Sequence, residues 1–295
     1  MPIGKRVVVT GGSGRVGRYV LAELANGHQV VNADLSDAGA VEYVRTDVMQ
    51  LDSLRTVFAG SDVVVHLAAI DYDWRAAAEE YIRVNTLGTW NVLQAAVESG
   101  VRRVVLCSSV AAIGLHDLRP DWTPRRLPVD DTHEARPVDA YSVSKTIIEL
   151  MGRSFVDSGA LEVVCLRPCT VVFEENLADF TESVDGGPYL SEYVTGEDVA
   201  AAFRAAVEVE VATFGPFLLS AADSSHPEPT LSWYATRFGG LPAEVDVDRY
   251  DDNPRASVFS SDAALAAFGW RPTSTLADLK RRHASNQAAT QAGKP

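Results

Sequence analysis

Tyr141 and Lys145, four residues apart in Tyr141-Ser142-Val143-Ser144-Lys145, are the pair in this chain best placed to do chemistry. On a helix, positions i and i+4 share a face. A phenol with a reference pKa of about 10 is a poor base at neutral pH. A neighbouring ammonium stabilises the phenolate and lowers that pKa. The phenolate can then take a hydroxyl proton while hydride leaves the same carbon. Ser108 and Ser109 close the apolar run Arg103 to Cys107. A hydroxyl at the end of a strand can hold the substrate oxygen beside Tyr141.

A second motif supplies a place for a hydride acceptor. Thr10-Gly11-Gly12-Ser13-Gly14-Arg15-Val16-Gly17 joins the apolar run Val7-Val8-Val9 to a helical pattern. Gly11 and Gly14 permit a tight turn and close approach of the backbone to a pyrophosphate, and Gly17 lets the helix pack on the sheet. From Ser13 to Val16 the helix start turns free N–H groups and a positive dipole end towards the phosphates. Asp34 ends the next strand. A carboxylate there accepts hydrogen bonds from the adenosine ribose hydroxyls and repels a 2′-phosphate, which favours NAD over NADP.

The elements that must position these groups follow from periodicity. Strands are expected at Val7 to Val9, His28 to Asp34, Val41 to Val44, Asp62 to His66, Arg103 to Cys107, Leu161 to Leu166 and Phe217 to Ser220. Helices are expected at Arg15 to Asn26, Leu51 to Phe58, Ala76 to Ser99, Tyr141 to Ser158 and Gly196 to Glu208. Strands that are apolar throughout and alternate with helices imply an α/β fold, a doubly wound parallel (Rossmann) sheet. Its expected extent is residues 1–170, completed by about 194–221. Residues 171–193 and 222–283 are left for a small C-terminal substrate-binding lobe, largely irregular, and 284–295 for a disordered tail. Leu115 to Asp139, rich in Pro, Arg and Asp, is long for a connection and reads as an active-site flap.

Bulk properties narrow the function classes. The 295 residues carry 26 Lys and Arg against 40 Asp and Glu, a net charge of 26 − 40 = −14. Such a surface disfavours nucleic acid and anionic membranes as partners. Hydrophobic residues at 46% and charged residues at 22% are ordinary for a folded domain. Cys107, Cys165 and Cys169 read as reduced thiols, two of them in apolar runs. No signal peptide precedes the first strand and no apolar run approaches ~18 residues, so a cytoplasmic protein is expected. No cluster of His, Cys and carboxylates has metal-ligand spacing, so no metal is expected. His66, His116 and His133 read as structural or exposed.

Taken together, these residues resemble the extended short-chain dehydrogenase/reductase family, the group of NAD-dependent epimerases, dehydratases and dehydrogenases. The resemblance runs from Val7 to about Leu279. It implies that Asp47-Val48 packs by the adenine and that Leu67-Ala68-Ala69, after His66, lies along the cofactor. It matches Asn85 in NTLGT, sets Ser109 at the catalytic serine when aligned on Gly114, and places Arg167-Pro168 near the nicotinamide. It gives Lys145 a second task, holding the nicotinamide ribose. Tyr193 to Ala200 and Phe268 to Pro272 resemble two further family segments.

The departures bear on the substrate. Thr170 stands where sugar-nucleotide members have an Asn, and the Gly-Pro turn that follows it there is missing. From Pro168 to Phe203 there is no Lys or Arg, while Glu174, Glu175, Asp179, Glu182 and Asp185 are acidic. Such a wall is poor for a pyrophosphate, which calls for cationic donors, although Arg237, Arg249 and Arg255 are available. Two readings stay open: an NAD-dependent oxidoreductase acting on a neutral sugar or polyol, and a nucleotide-sugar epimerase or dehydratase with tightly held NAD. A nucleotide sensor with a dead site is disfavoured by the presence of both Tyr141 and Lys145. The apolar faces of the helices at Ala76 to Ser99 and Tyr141 to Ser158 allow a homodimer.

Overall fold

Val7 and Val9 pack into a core on one face of a sheet, and Val8 into a second core on the other. Alternate side chains of a strand point to opposite faces, so a strand that is apolar at every position needs both faces covered. All three side chains are fully buried, each worth roughly 1.5–3 kcal/mol of transfer free energy. The computed structural model describes residues 4–39, 41–72, 75–115, 122–177, 180, 190 and 192–292.

The first half alternates as expected: β1 (Arg6–Thr10), α1 (Arg15–Ala25), β2 (Gln29–Asp34), β3 (Glu42–Arg45), α2 (Leu51–Phe58) and β4 (Val63–His66). The long helix expected next is broken in geometry. It runs as α3 (Ala78–Tyr81), a π-helical turn (Ile82–Leu87) and α4 (Gly88–Glu98). Then come β5 (Arg103–Cys107), a 3-10 turn (Val110–Ile113), β6 (Arg126–Leu127), α5 (Ala140–Asp157), β7 (Glu162–Pro168), β8 (Val171–Val172), β9 (Val194–Thr195), α6 (Gly196–Glu208) and β10 (Phe217–Leu219). The main sheet has seven strands in the order β10-β7-β5-β4-β1-β2-β3, all parallel. This is a doubly wound sheet whose order reverses between β1 and β4, and the crevice beyond their carboxyl ends is where such folds bind ligands.

Beyond β10 the chain is far from irregular. It forms α7 (Thr230–Phe238), β11 (Glu244–Val245), α8 (Val247–Asp252), α9 (Asp262–Phe268) and α10 (Leu276–Ala292). The first three are short, with apolar stripes too brief for periodicity to reveal, and α10, though 17 residues long, is mostly polar in sequence. Gly269, at φ +72°, ends α9 in the left-handed conformation that favours glycine. This small lobe is tied to the sheet through Asp198. The buried Asp198 carboxylate accepts hydrogen bonds from Thr273 N (2.9 Å), Thr273 Oγ1 (2.8 Å) and Ser274 N (3.0 Å), and its carbonyl accepts one from Trp270 Nε1 (2.9 Å).

Two further expectations change. Residues 122–139 do not form a flap over the cleft. Val129 N donates to Val258 O and Ser260 N to Val129 O, β6 pairs with β11, and Trp122 is buried. The segment is thereby fastened to the lobe; residues 116–121, including His116, lie outside the described residues. The stretch from Ala284, expected to lack order, continues α10 to Ala292, and Asn286 Nδ2 donates to Glu174 Oε1 at 2.8 Å.

Candidate active site

A cleft of about 1250 Å³ opens at the carboxyl ends of β1, β2, β4, β5 and β7. Gly11, Ser13, Gly14, Arg15, Val16 and Gly17 form part of its wall. Gly11 sits at φ +74°, and a Cβ there would lie 2.4 Å from Ala68 N. A Cβ at Gly17 would lie 2.4 Å from Gly11 O. The first turn of α1 offers N–H groups with no carbonyl one turn earlier to accept them. A loop with no room for side chains at Gly11 and Gly17, leading into a helix N-terminus, fits a dinucleotide diphosphate.

At one end of the cleft the Asp34 carboxylate accepts hydrogen bonds from Ser13 N (2.9 Å) and Leu35 N (2.6 Å). It is therefore aimed by the glycine loop itself, and its remaining lone pairs could hold a ribose diol. Arg45 lies opposite Asp34 in the β2–β3 register, with its guanidinium on Leu35 O. Asp47 and Val48 line the same end, with Met49 N donating to Asp47 Oδ1 (2.9 Å) and Asn91 Nδ2 to Val48 O (3.0 Å).

The middle of the cleft gathers Ser109, Tyr141, Lys145, Leu67, Ala68, Ala69, Ser108 and Pro168. Asp139 caps α5, accepting from Ser142 N at 2.9 Å, which sets Tyr141 in the first turn. Lys145 Nζ lies 5.5 Å from the Tyr141 ring centre and donates to Cys107 O at 2.9 Å. Ser109 lines the cleft with Tyr141, and its Oγ accepts from Ala111 N at 3.1 Å. The phenol departs from expectation. Burial first, then the Asp71 carboxylate, push the Tyr141 pKa up, against the nearby Ser109 hydroxyl, which lowers it. Desolvation of a phenolate outweighs its nearby donors here.

The two serines separate in role. Ser108 Oγ turns away from Tyr141 to Glu149 Oε1 at 2.5 Å. Arg167 clamps the same carboxylate through Nε and Nη2, both at 2.7 Å. All three side chains are buried. Asp131, near Arg167, accepts from Leu218 N at 2.6 Å, and burial raises its carboxyl pKa from 3.8 to about 6. Asn85 does not line the cleft. Its amide donates to Ile70 O (3.1 Å) and Ser144 Oγ (3.1 Å) and accepts from Ile70 N (2.7 Å), holding the loop after β4 against α5. His66 is buried between Thr10 Oγ1 (2.7 Å) and Thr89 Oγ1 (2.8 Å), and burial lowers its pKa to about 3, so it is neutral and structural. His133 is buried too.

The far end is lined by Thr170, Phe173, Asn176, Glu192 and Ser225, with Asp71 and Tyr72 facing Tyr141. None of these but Thr170 was singled out by sequence; they sit in loops or, for Asn176, a 3-10 turn, and carry no recurrent spacing. Asp71 Oδ2 pairs with Arg15 Nη2 at 2.8 Å, across the two loops. Glu174 and Glu175 do not line the cleft: Glu174 faces Asn286, and Glu175 the Tyr19 hydroxyl. Asp179, Glu182, Asp185 and Gly186-Gly187-Pro188 lie outside the described residues. Among the described residues the cations lining the cleft are Arg15, Arg18, Arg83 and Lys145. Arg249 pairs with Asp262 (2.9 Å) and Arg255 bonds Ser224 O (2.9 Å); neither they nor Arg237 line it. All three cysteines are free thiols. Among the described residues no helix is long and apolar enough to cross a membrane.

Comparison with known proteins bears on this cleft. The sequence model of the NAD dependent epimerase/dehydratase family matches residues 7–214. An L-arabinose 1-dehydrogenase (NAD(P)(+)) of Haloferax volcanii is 34% identical over 167 residues, 55% of this chain and 65% of that protein. A UDP-glucose 4-epimerase of Halalkalibacterium halodurans is 30% identical over 172 residues, 55% of this chain and 49% of that protein. The chain thus spans about half to two-thirds of the length of these curated relatives. A crystal structure of a short-chain dehydrogenase/reductase superfamily protein from Agrobacterium tumefaciens with bound NAD has the same fold, with a TM-score of 0.74 at 23% identity, covering 97% of this chain and 98% of that one.

Proposed function

This chain belongs to the NAD dependent epimerase/dehydratase family, and from that premise we propose that it is a dehydrogenase oxidising a neutral sugar or polyol and releasing the reduced cofactor at each turnover. One observation carries the choice over a nucleotide-sugar epimerase. Among the described residues no arginine or lysine lines the far end of the cleft except Arg15, which is already paired with Asp71. A diphosphate anchored there would need cationic donors. The resemblance to an L-arabinose dehydrogenase supports the same reading.

In this reading Gly11, Ser13, Gly14, Arg15, Val16 and Gly17 hold the diphosphate, Asp34 the adenosine ribose, and Asp47 and Val48 the adenine. Leu67, Ala68, Ala69, Ser108 and Pro168 form the floor under the rest of the cofactor, and Asn85 braces that floor from behind. Ser109 orients the substrate hydroxyl, Tyr141 takes its proton, and Lys145 holds the nicotinamide ribose and the charge on Tyr141. NAD, when bound, supplies the acceptor for the hydride that leaves the hydroxyl carbon. Burial opposes the phenolate, so it forms only with positive charge close by. Residues 1–170 and 194–221 serve as the nucleotide-binding domain, and 171–193 with 222–283 as the substrate-binding lobe. The protein works in the cytoplasm, as a homodimer, with no nucleic-acid or membrane partner.

Nicotinamide absorbance across a panel of free sugars, with chromatography of UDP-sugars alongside, tests this. NADH formed from a neutral sugar is expected, abolished in Tyr141→Phe with NAD binding kept. Interconverted UDP-sugar without free NADH would give the epimerase reading the site instead. A Tyr141→Phe variant with undiminished turnover would remove Tyr141 from the chemistry.

A further inference from the structure

We propose that the Arg15–Asp71 ion pair is a latch across the path of the dinucleotide, and that Asp71, which holds it shut, sets how fast the cofactor enters and leaves. This rests on the cofactor path proposed above and is independent of the substrate.

The strand order gives the path. In the main sheet β2, β1, β4 and β5 are successive neighbours. Asp34 ends β2, and Ser108 and Ser109 follow β5. A dinucleotide reaching from one to the other must cross the crevice between the loops after β1 and β4. Those two loops carry Arg15 and Asp71, and both residues line the cleft. The floor of the crossing is tight, since a Cβ at Gly11 would meet Ala68 N. The bridge stands at the rim: Arg15 Nη2 lies 2.8 Å from Asp71 Oδ2, with the side chains 42% and 49% exposed.

Each partner is aimed. Ile70, just before Asp71, is pinned at both backbone groups by the Asn85 amide. Tyr81 Oη donates to Asp71 O at 3.3 Å, and Tyr72 N to Asp71 Oδ1 at 2.8 Å, which leaves Oδ2 to the arginine. The Arg15 guanidinium is 5.8 Å from the centre of the buried Phe173 ring, a cation–π seat on the cleft wall. A guanidinium carries five N–H donors, so Arg15 can keep Asp71 while meeting a diphosphate oxygen. Without that cation between them, Asp71 and the diphosphate would repel. Passage of the cofactor in either direction needs the pair to part.

Stopped-flow nicotinamide fluorescence with NADH reads both rates without turnover, which keeps the effect of the Asp71 charge on Tyr141 out of the measurement. Asp71→Asn keeps the shape and breaks the ion pair. Its association and dissociation rates should each rise about 2- to 5-fold, the worth of a half-exposed ion pair, with Kd held within about 2-fold. A plain binding contact would instead change dissociation alone. Raising the salt should speed dissociation from wild type but not from Asp71→Asn, because the exposed pair is screened. Unchanged rates in Asp71→Asn, a rise in dissociation alone, or the same salt dependence in both proteins would overturn the latch. Absence of NADH binding to wild type would overturn the cofactor path, and the latch with it.

Discussion

Asp34 shows how one side chain can carry a choice between cofactors. Its carboxylate is pinned by Ser13 N and Leu35 N, so it cannot swing away from an incoming 2′-phosphate. Asp34→Ala should weaken NAD binding and admit NADP, helped by Arg45 directly opposite. Titration of both cofactors into wild type and variant checks this, and wild type binding NADP more tightly than NAD would sink it. Asp131 gives a pH dependence. Burial raises its carboxyl pKa from 3.8 to about 6, so the folded state binds that proton more tightly than the unfolded chain does. Stability is therefore lost as pH rises from about 4 to about 6, by up to ~3 kcal/mol. Asp131→Asn keeps an oxygen for Leu218 N and should flatten that part of the profile. Urea denaturation between pH 4 and 7 measures it; an unchanged slope would show that Asp131 titrates normally.

At the scale of elements, the site is held by what lies under it. Glu149, one helical turn beyond Lys145, ties α5 to β7 through Arg167 and to the end of β5 through Ser108. Glu149→Gln strands the buried Arg167 charge and should cost about 3–5 kcal/mol. Pairing it with Arg167→Met should recover part of the loss, read from a double-mutant cycle in denaturant. Simple additivity would mean that the pair does not act as a unit. This clamp was only half legible in the sequence. Arg167 was visible from its motif, but its partner Glu149 is one of many glutamates on helices, and only the packing singles it out. Asn85 was legible from its motif, whereas its hydrogen bonds to Ile70 and Ser144, made from a π turn, show only in the packing. The alternating first half was readable because buried parallel strands are apolar at every position. The lobe was not, since three of its helices are brief and the fourth is mostly polar in sequence. Acidity was read from Glu174, Glu175, Asp179, Glu182 and Asp185; the first two lie off the cleft, and among the described residues Asp71 and Glu192 are the acids in its far part.

For the whole molecule, the back of α4 and α5 stands out. Trp90 is 42% exposed, Val97 40% and Leu150 70%, an apolar face beside the shallow hollow formed by Gln94, Ser154 and Phe155. A monomer with net charge −14 has little reason to keep such a face bare. Sedimentation should give a species of twice the 31.8 kDa chain mass, reduced to one chain by Trp90→Glu with Leu150→Glu. A wild type sedimenting as a single chain at high concentration would rule this out.

The path of the chain past Pro168 has a consequence for recombination. From β7 it leaves the main sheet for β8 and β9, returns through α6 and β10, then leaves again for α7 to α10. In the proposed reading, the wall facing the substrate is thus encoded in two separated stretches with a sheet strand between them. A crossover that falls between the two stretches grafts half of a foreign wall onto half of the native one, and severs the anchorage of Asp198 to Thr273 and Ser274 if it falls between those residues. New specificities in this architecture are reached more readily by point substitution within the wall, or by a crossover before β8 that exchanges both stretches at once, than by a crossover between them.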